Sequence, residues 1–409
     1  MTKTANTTIK QYMAYTSNAI FNFGCKMSEC PDNCCRNTTW SITVDENSME
    51  LYKKMDDNLG KHILECIEEV PEFGHRFKQF DHGHCPLLTD EGLCLIHRDL
   101  GESYLCNTCK TYPRIWEGLN NTIDHWLSLS CPNVVRTVLY GQRKITYFES
   151  PVTLQDQTLP PTKPFDDARR RIRDELIEIV QYRKFSIKEK LLFMGLFMRS
   201  LSRFELNDNF NNSVEEVITN YRSYMKKPDF FESLLSGLAN ADEDSQKHFF
   251  SVLSAMVSVS LSVPKKIPEG VKNAQYYERM ANLHKDTKDK VADEYLTSAF
   301  NRLIVPYVNG NKYVFDNYLA YSLVSSRFLV EATDFPVAYA GFIGEFLAML
   351  IFTAGLFKDN ETLTDDDMIT GIYLFHRKIS HTKTLRKTLS EVFSDDLLAW
   401  LLNALGDIK

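Results

Sequence analysis

Residues 151–164 read PVTLQDQTLPPTKP, and the reading of this stretch divides the chain. It holds four of the fourteen prolines and reads as an extended linker. All ten cysteines precede it, between Cys25 and Cys131. The expected fold is therefore mainly α. A small loop-rich, cysteine-rich metal-binding domain spans 1–150, the Pro-rich linker 151–164 follows, and an all-helical domain spans 165–409.

Downstream, FDDARRRIRDELIEIVQYRKF puts Ile172, Leu176, Ile179 and Val180 at helical spacing. The run Arg169, Arg170, Arg171 and Arg173 is interleaved with acids and reads as a solvated helix face. Ser186 and Glu189 form a capping-box signature. Further helices are expected to start near Ser213, Asp242, Lys288, Phe315, Pro336, Asp365 and Thr384. The longest apolar run, Pro336 to Phe357, is close to the ~20 residues that span a bilayer. It carries Glu345 and three glycines, so it reads as a buried core helix, with peripheral membrane contact as the alternative.

Upstream, WSITVDE reads as a strand and SMELYKKMDDNLGKHILECIEEV as helix. Residues 1–131 hold 12 Lys/Arg and 18 Asp/Glu, so this part carries −6 of the net −7. Such a balance does not suit nucleic acid and does suit a basic, lysine-bearing protein surface. The N-terminus has no basic patch followed by an apolar run, so a cytoplasmic location is expected. In that reducing compartment, crowded cysteines point to metal or catalysis more than to disulfides.

The cysteines fall as Cys25-x4-Cys30-x3-Cys34-Cys35, Cys85-x8-Cys94, Cys106-x2-Cys109 and Cys131, with Cys66 alone. Converging thiolates suit zinc or an iron–sulfur cluster. Cys30, Cys34, Cys85, Cys94 and Cys109 read together as ligands. Cys66, inside an apolar helical pattern, reads as a buried hydrophobe. Adjacent thiols seldom both point at one cluster, so Cys34 and Cys35 need not share a role; Cys35 can orient inward or serve the substrate side. Arg114 is positioned to pair with a carboxylate or with the negative charge of a cluster.

The ordered blocks C-x4-C-x3-C-C, W-x-I-x-V-D, C-P-L-L-x5-C-x-I-H, C-x-x-Y-P-R and S-C-P resemble the flagellin lysine-N-methylase family. They are also similar to small cysteine-rich zinc- or iron-binding proteins. The resemblance covers about residues 14–136; the remainder matches only in length and helical character. It implies S-adenosylmethionine-dependent methylation of lysines on flagellin or another lysine-bearing protein. It also implies a 4Fe–4S cluster, with zinc as the alternative metal, and a peripheral membrane association. The motif positions carried over as metal ligands are Cys30, Cys34, Cys35, Cys85, Cys94 and Cys109, and Cys25 and Cys131 also match.

No G-x-G-x-G or G-x-G-x-x-G occurs, so the glycine-rich turn of a Rossmann-like cofactor site is missing. Nor does C-x3-C-x2-C occur. Methyl transfer would proceed either by attack of a neutral lysine amine on the sulfonium methyl or by cluster-linked radical chemistry. The first route needs a base for an amine whose free pKa is about 10.4. Asp45, Asp81, His82 and Tyr112 are the candidates, with Arg114 toward the cofactor. The alternative reading is a non-enzymatic metal-binding interaction protein.

Overall fold

The structure is a computed structural model that describes residues 9–36, 42–71, 74–78, 84–119, 122–141, 144–155, 164–227, 229–230, 243–260, 274–330, 332–379 and 405–408. As expected, the chain is mainly α.

A four-stranded sheet organises the N-terminal part, in the order β5 (Arg114–Leu119), β6 (Thr122–Leu127), β1 (Ile9–Ser17), β7 (Tyr147–Gln155). β1 pairs parallel with β6, with Ala14 opposite Ile123. It pairs antiparallel with β7 along its full length, from Ile9 opposite Gln155 to Ser17 opposite Tyr147. Residues 151–155 are thus strand, not linker. Pro151 lies opposite Met13 on an edge strand, where a missing N–H is tolerated. Ser150, Val152 and Leu154 are half-buried, while Glu149, Pro151 and Thr153 are exposed, the period-two pattern of a strand. Residues 156–163 of the expected linker lie outside the described residues.

A smaller sheet orders β2 (Thr43–Val44), β4 (Gly74–Phe77) and β3 (Ile67–Val70). The single helix expected over 48–70 is two helices and a strand. α1 (Glu46–Lys53) starts at the Asp45 cap, and α2 (Asn58–Glu65) starts at the Asp57 cap, whose carboxylate accepts the Gly60 N–H at 2.7 Å. A second N-cap inside the apolar pattern forces the break. Val44, Met49, Tyr52, Ile63, Phe77, Leu87 and Ile96 form a compact core with Cys66 and Cys106. Two short helices, α3 (Leu95–Leu100) and α4 (Asn107–Thr111), close this region. A third, α5 (Pro132–Val135), follows Cys131.

The remaining described helices are α6 (Asp166–Val180), α7 (Ile187–Leu201), α8 (Phe210–Tyr224), α9 (Glu243–Ser260), α10 (Ala274–Lys288), α11 (Ala292–Ala299), α12 (Val305–Gly310), α13 (Lys312–Ser325), α14 (Phe335–Leu356) and α15 (Asp365–Lys378). The Ser186–Glu189 capping box is present in both directions. The helix expected to start near Lys288 starts at Ala292, and Lys288 itself ends α10. Thr384 lies outside the described residues.

α14 is the apolar run read as a core helix, and it is one: 83% of its apolar window is buried. It packs against α7, α9, α10, α11 and α15.

The sheet and the helices share one core. Tyr321 on α13 makes the joint: its hydroxyl accepts the Leu127 N–H at 2.6 Å and donates to the Leu127 carbonyl at 2.9 Å. The arginine run is not the solvated face expected. Arg173 is buried against Asp124 at 2.7 Å, and Arg169 is buried with a bond to the Ala332 carbonyl at 3.0 Å. One face of α6 lies on the sheet, so half of the run must be paired internally.

Candidate active site: a thiol group beside a cavity

Cys34 and Cys35 occupy one tight turn over residues 34–36. The Cys85 N–H donates to the Cys35 carbonyl at 2.7 Å, which ties the first cysteine block to the second. The Cys35 thiol hydrogen-bonds with both Cys34 and Cys94. Both members of the adjacent pair thus lie at the same thiol group. In a coil of three residues per turn, neighbouring side chains are ~120° apart and can share a side, unlike those of a strand.

Cys94 precedes α3, and its sulfur accepts N–H bonds from His97 and Ile96. Cys106 precedes α4; its sulfur accepts the Cys109 N–H, and the two thiols hydrogen-bond. Cys85 accepts from the Leu87 N–H. Cys34, Cys85 and Cys106 lie close enough for their charges to act on Cys109. The Cys35 hydrogen bonds hold Cys34 down at about 7 and Cys94 at about 6. Cys35 itself is driven well above the thiol range, first by its bond with Cys34. Burial pushes Cys85 up to about 12.

Cys30, carried over as a ligand, lies near Cys131, on which Cys34 also acts. Burial pushes Cys30 and Cys131 up to about 12 and about 11. Cys25 is exposed. Cys66 is buried in the small core, as an apolar cysteine should be. Among the described residues, no three His, Cys, Asp or Glu side chains are arranged to hold a metal ion as they stand. The chemistry of the donor set still fits a soft metal. Thiols gather from separate loops, and several sulfurs already take the backbone N–H bonds that stabilise thiolate ligands.

Beside this group lies a residue that the sequence reading missed. Arg377, in the last turn of α15, is fully buried, with Nη1 2.8 Å from Asp32 Oδ2. Its Nη2 donates to the Asp32 carbonyl at 3.2 Å, and its Nε donates to the Ser130 carbonyl at 3.1 Å. The Tyr277 hydroxyl donates to the same Asp32 carboxylate at 3.0 Å. The guanidinium charge lowers the pKa values of Cys30, Cys34 and Cys131. Basic residues in a last helical turn are ordinary, so nothing local marks Arg377. The neighbouring Lys378 is brought down to about 7 by burial, which lets it exchange a proton near neutrality.

The other site candidates separate. Asp45 Oδ1 accepts the Ser48 N–H at 3.1 Å, and Oδ2 accepts the Ser48 hydroxyl at 2.9 Å and the Asn107 N–H at 2.8 Å. It caps α1 and ties it to the helix that carries Cys109. These bonds outweigh partial burial and lower its pKa, which makes it a poorer base. Tyr112 stays beside the thiols: burial raises its pKa strongly, the charges of Arg377, Cys131 and Cys34 act on it, and its hydroxyl is 3.1 Å from Ser130 Oγ. Arg114 is exposed and lies over the Phe23 ring, so the cationic partner of the thiols is Arg377 rather than Arg114. Asp81 and His82 lie outside the described residues.

A cavity of about 880 Å³ opens between β5, β6, the C-terminal end of α13, α14 and α15. Trp126, Phe342 and Phe346 line it, with Glu345 and Arg327 among its charged groups. His376 also lines it, with Nε2 3.0 Å from the Tyr318 hydroxyl. The cavity and the thiol group share a wall. Ser128 lines the cavity, its hydroxyl is 2.7 Å from Ser130 Oγ, and Ser130 meets Tyr112 and Arg377 on the thiol side.

Comparison with known proteins gives the following. Residues 173–403 match the model of the FliB lysine N-methylase C-terminal domain. The likeness therefore extends into the helical part and is not confined to residues 14–136. The chain is 22% identical over 381 residues to the lysine-N-methylase of Salmonella choleraesuis (strain SC-B67), across 90% of this chain and 92% of that protein. The lysine-N-methylase of Salmonella typhimurium (strain LT2) aligns to the same extent. The flagellar biosynthetic protein FliU of Salmonella muenchen is 29% identical over 125 residues, 29% of this chain and 73% of its own length. No solved structure matches the chain.

Proposed function

The chain belongs to the FliB lysine N-methylase family and is a protein-lysine methyltransferase, and from that premise we propose that it moves the methyl group of S-adenosylmethionine onto lysines of flagellin, with a cysteine-ligated 4Fe–4S cluster beside the site. The observation that carries this reading is the shared wall of Ser128, Ser130, Tyr112 and Arg377 between the thiols and the cavity. Family membership sets aside the non-enzymatic alternative.

Cys34, Cys35 and Cys94 would hold the cluster, with Cys85 or Cys109 completing it and Arg377 balancing its charge. Bound S-adenosylmethionine supplies an electrophilic methyl: the lysine Nζ lone pair forms the C–N bond as the C–S bond breaks with its electron pair to sulfur. A lysine is protonated near neutral pH, so the protein must take a proton from the amine before that attack. His376, on the cavity wall beside Tyr318, is our candidate acceptor. Tyr112 stays neutral and serves as a hydrogen-bond donor. A flagellar target agrees with the name of the FliU relative, and the −6 charge of residues 1–131 favours a lysine-bearing surface.

The test is anaerobic purification with iron and sulfide quantification, then incubation with methyl-labelled S-adenosylmethionine and flagellin. Label on flagellin lysines supports the reading. Protein with intact iron and sulfide that labels neither flagellin nor another lysine-rich protein overturns it. Zinc without iron overturns the cluster alone.

A further inference from the structure

The chain lacks the glycine-rich turn that would cradle the methyl donor in a Rossmann-like fold, so the donor needs another pocket. The cavity between the sheet and α13–α15 is large enough to be a small-molecule site, which typically spans about 300–1,000 Å³. Its most informative residues lie at the end of α13. Ser322 is buried, and its hydroxyl has no hydrogen-bond partner among the described residues. Arg327 is held on two sides, with Nε 2.7 Å from Glu117 Oε2 and Nη2 donating to the Gly118 carbonyl at 3.1 Å. Its buried Nη1 has no hydrogen-bond partner among the described residues. Arg327 also has φ 53°, just after the Ser326 cap, where glycine is the common residue. A side chain in that conformation is strained, so helix termination alone does not favour arginine here.

A buried guanidinium N–H asks for an acceptor, best an anionic one. A lysine side chain offers only donors and would face that guanidinium with like charge. The methyl donor offers a carboxylate, ribose oxygens, a flat base and a cation, and the cavity has a counterpart for each class: Arg327, Ser322, Trp126 with Phe342, and Glu345. We propose that this cavity is the S-adenosylmethionine site, with Arg327 Nη1 as the carboxylate anchor and Ser322 as a hydrogen-bonding partner for the ligand's polar groups. The placement rests on the lysine-methylase reading and adds to it where the donor binds. It also brings the donor against the wall that Ser128 and Ser130 share with the thiols.

The test is calorimetric binding of S-adenosylhomocysteine, the product of methyl loss, to the full-length protein. Wild type should bind one equivalent. Arg327→Gln should weaken binding by at least about tenfold, the loss of one charge-assisted hydrogen bond. Ser322→Leu fills the cavity without changing charge and should abolish binding, with an unchanged thermal transition showing that the chain still folds. Cys25→Ser, at an exposed cysteine, should bind as wild type. If both cavity variants keep wild-type affinity, or if wild type methylates protein while binding no S-adenosylhomocysteine, the placement is wrong and the methylase reading stands. If wild type neither binds the nucleoside nor transfers methyl groups, both fall together.

Discussion

Arg377 and Asp32, 345 positions apart, form an ion pair at 2.8 Å with both side chains essentially inaccessible to solvent. The pair fastens the last turn of α15 to the loop that leads into Cys34 and Cys35. Arg377→Met takes the buried Asp32 carboxylate's ion-pair partner away, leaving it the Tyr277 hydroxyl and the nearby Lys378, and should cost about 3–5 kcal/mol in denaturant unfolding. The double variant Asp32→Asn, Arg377→Met should recover part of that loss, because the uncompensated charge is gone. A single variant as stable as wild type would mean that the pair is not formed.

Tyr321 and Leu127 define the joint between helices and sheet. Leu127 is fully buried, so Tyr321→Phe strands both its N–H and its carbonyl. The expected loss is about 1–3 kcal/mol, measured by chemical denaturation. A change below about 0.5 kcal/mol, the range of a neutral surface substitution, would mean that the bonds are not made.

Asp45 is a cap, so its charge matters less than its acceptor geometry. Asp45→Asn should keep most stability and most methyl transfer, whereas Asp45→Ala should cost about 1–2 kcal/mol. Loss of transfer in a stable Asp45→Asn protein would restore the carboxylate to the chemistry.

His125 gives a pH signature. Burial, reinforced by the Arg114 charge, depresses its imidazole pKa to about 3, whereas an unfolded histidine titrates near about 6.5. Between these values the unfolded chain binds the proton and the native chain does not. The contribution is complete above about 6.5 and is lost as pH falls through that window toward about 3. Above pH 5, before most carboxylates titrate, the slope should be at most about 1.4 kcal/mol per pH unit from this group. His125→Phe, which keeps the stack on Trp116, should flatten it. An unchanged slope would show that His125 is protonated in the folded state.

The helical half was legible because its signals are local: the Ser186–Glu189 box and the 22-residue apolar run each carry their meaning within a few turns. The sheet was hidden because its partners are remote. β1 pairs with strands more than a hundred positions away, and β7 runs into the stretch whose prolines read as linker. In the site, cysteine spacing marked the thiols of Cys34, Cys85, Cys94 and Cys109. It could not reveal that Cys35 is hydrogen-bonded on both sides, that Cys30 lies near Cys131, or that the cation is Arg377 rather than Arg114. Those facts depend on turn geometry and on tertiary packing across the whole chain.

Cys35, between Cys34 and Cys94, is the residue on which the cluster-dependent account turns. The direct measurement is methyl transfer to flagellin by anaerobically prepared wild type and Cys35→Ala, at equal concentrations of folded protein and with iron determined in both. The account predicts transfer and iron in wild type, and loss of both in Cys35→Ala without loss of fold. Full transfer by an iron-free Cys35→Ala protein would contradict it.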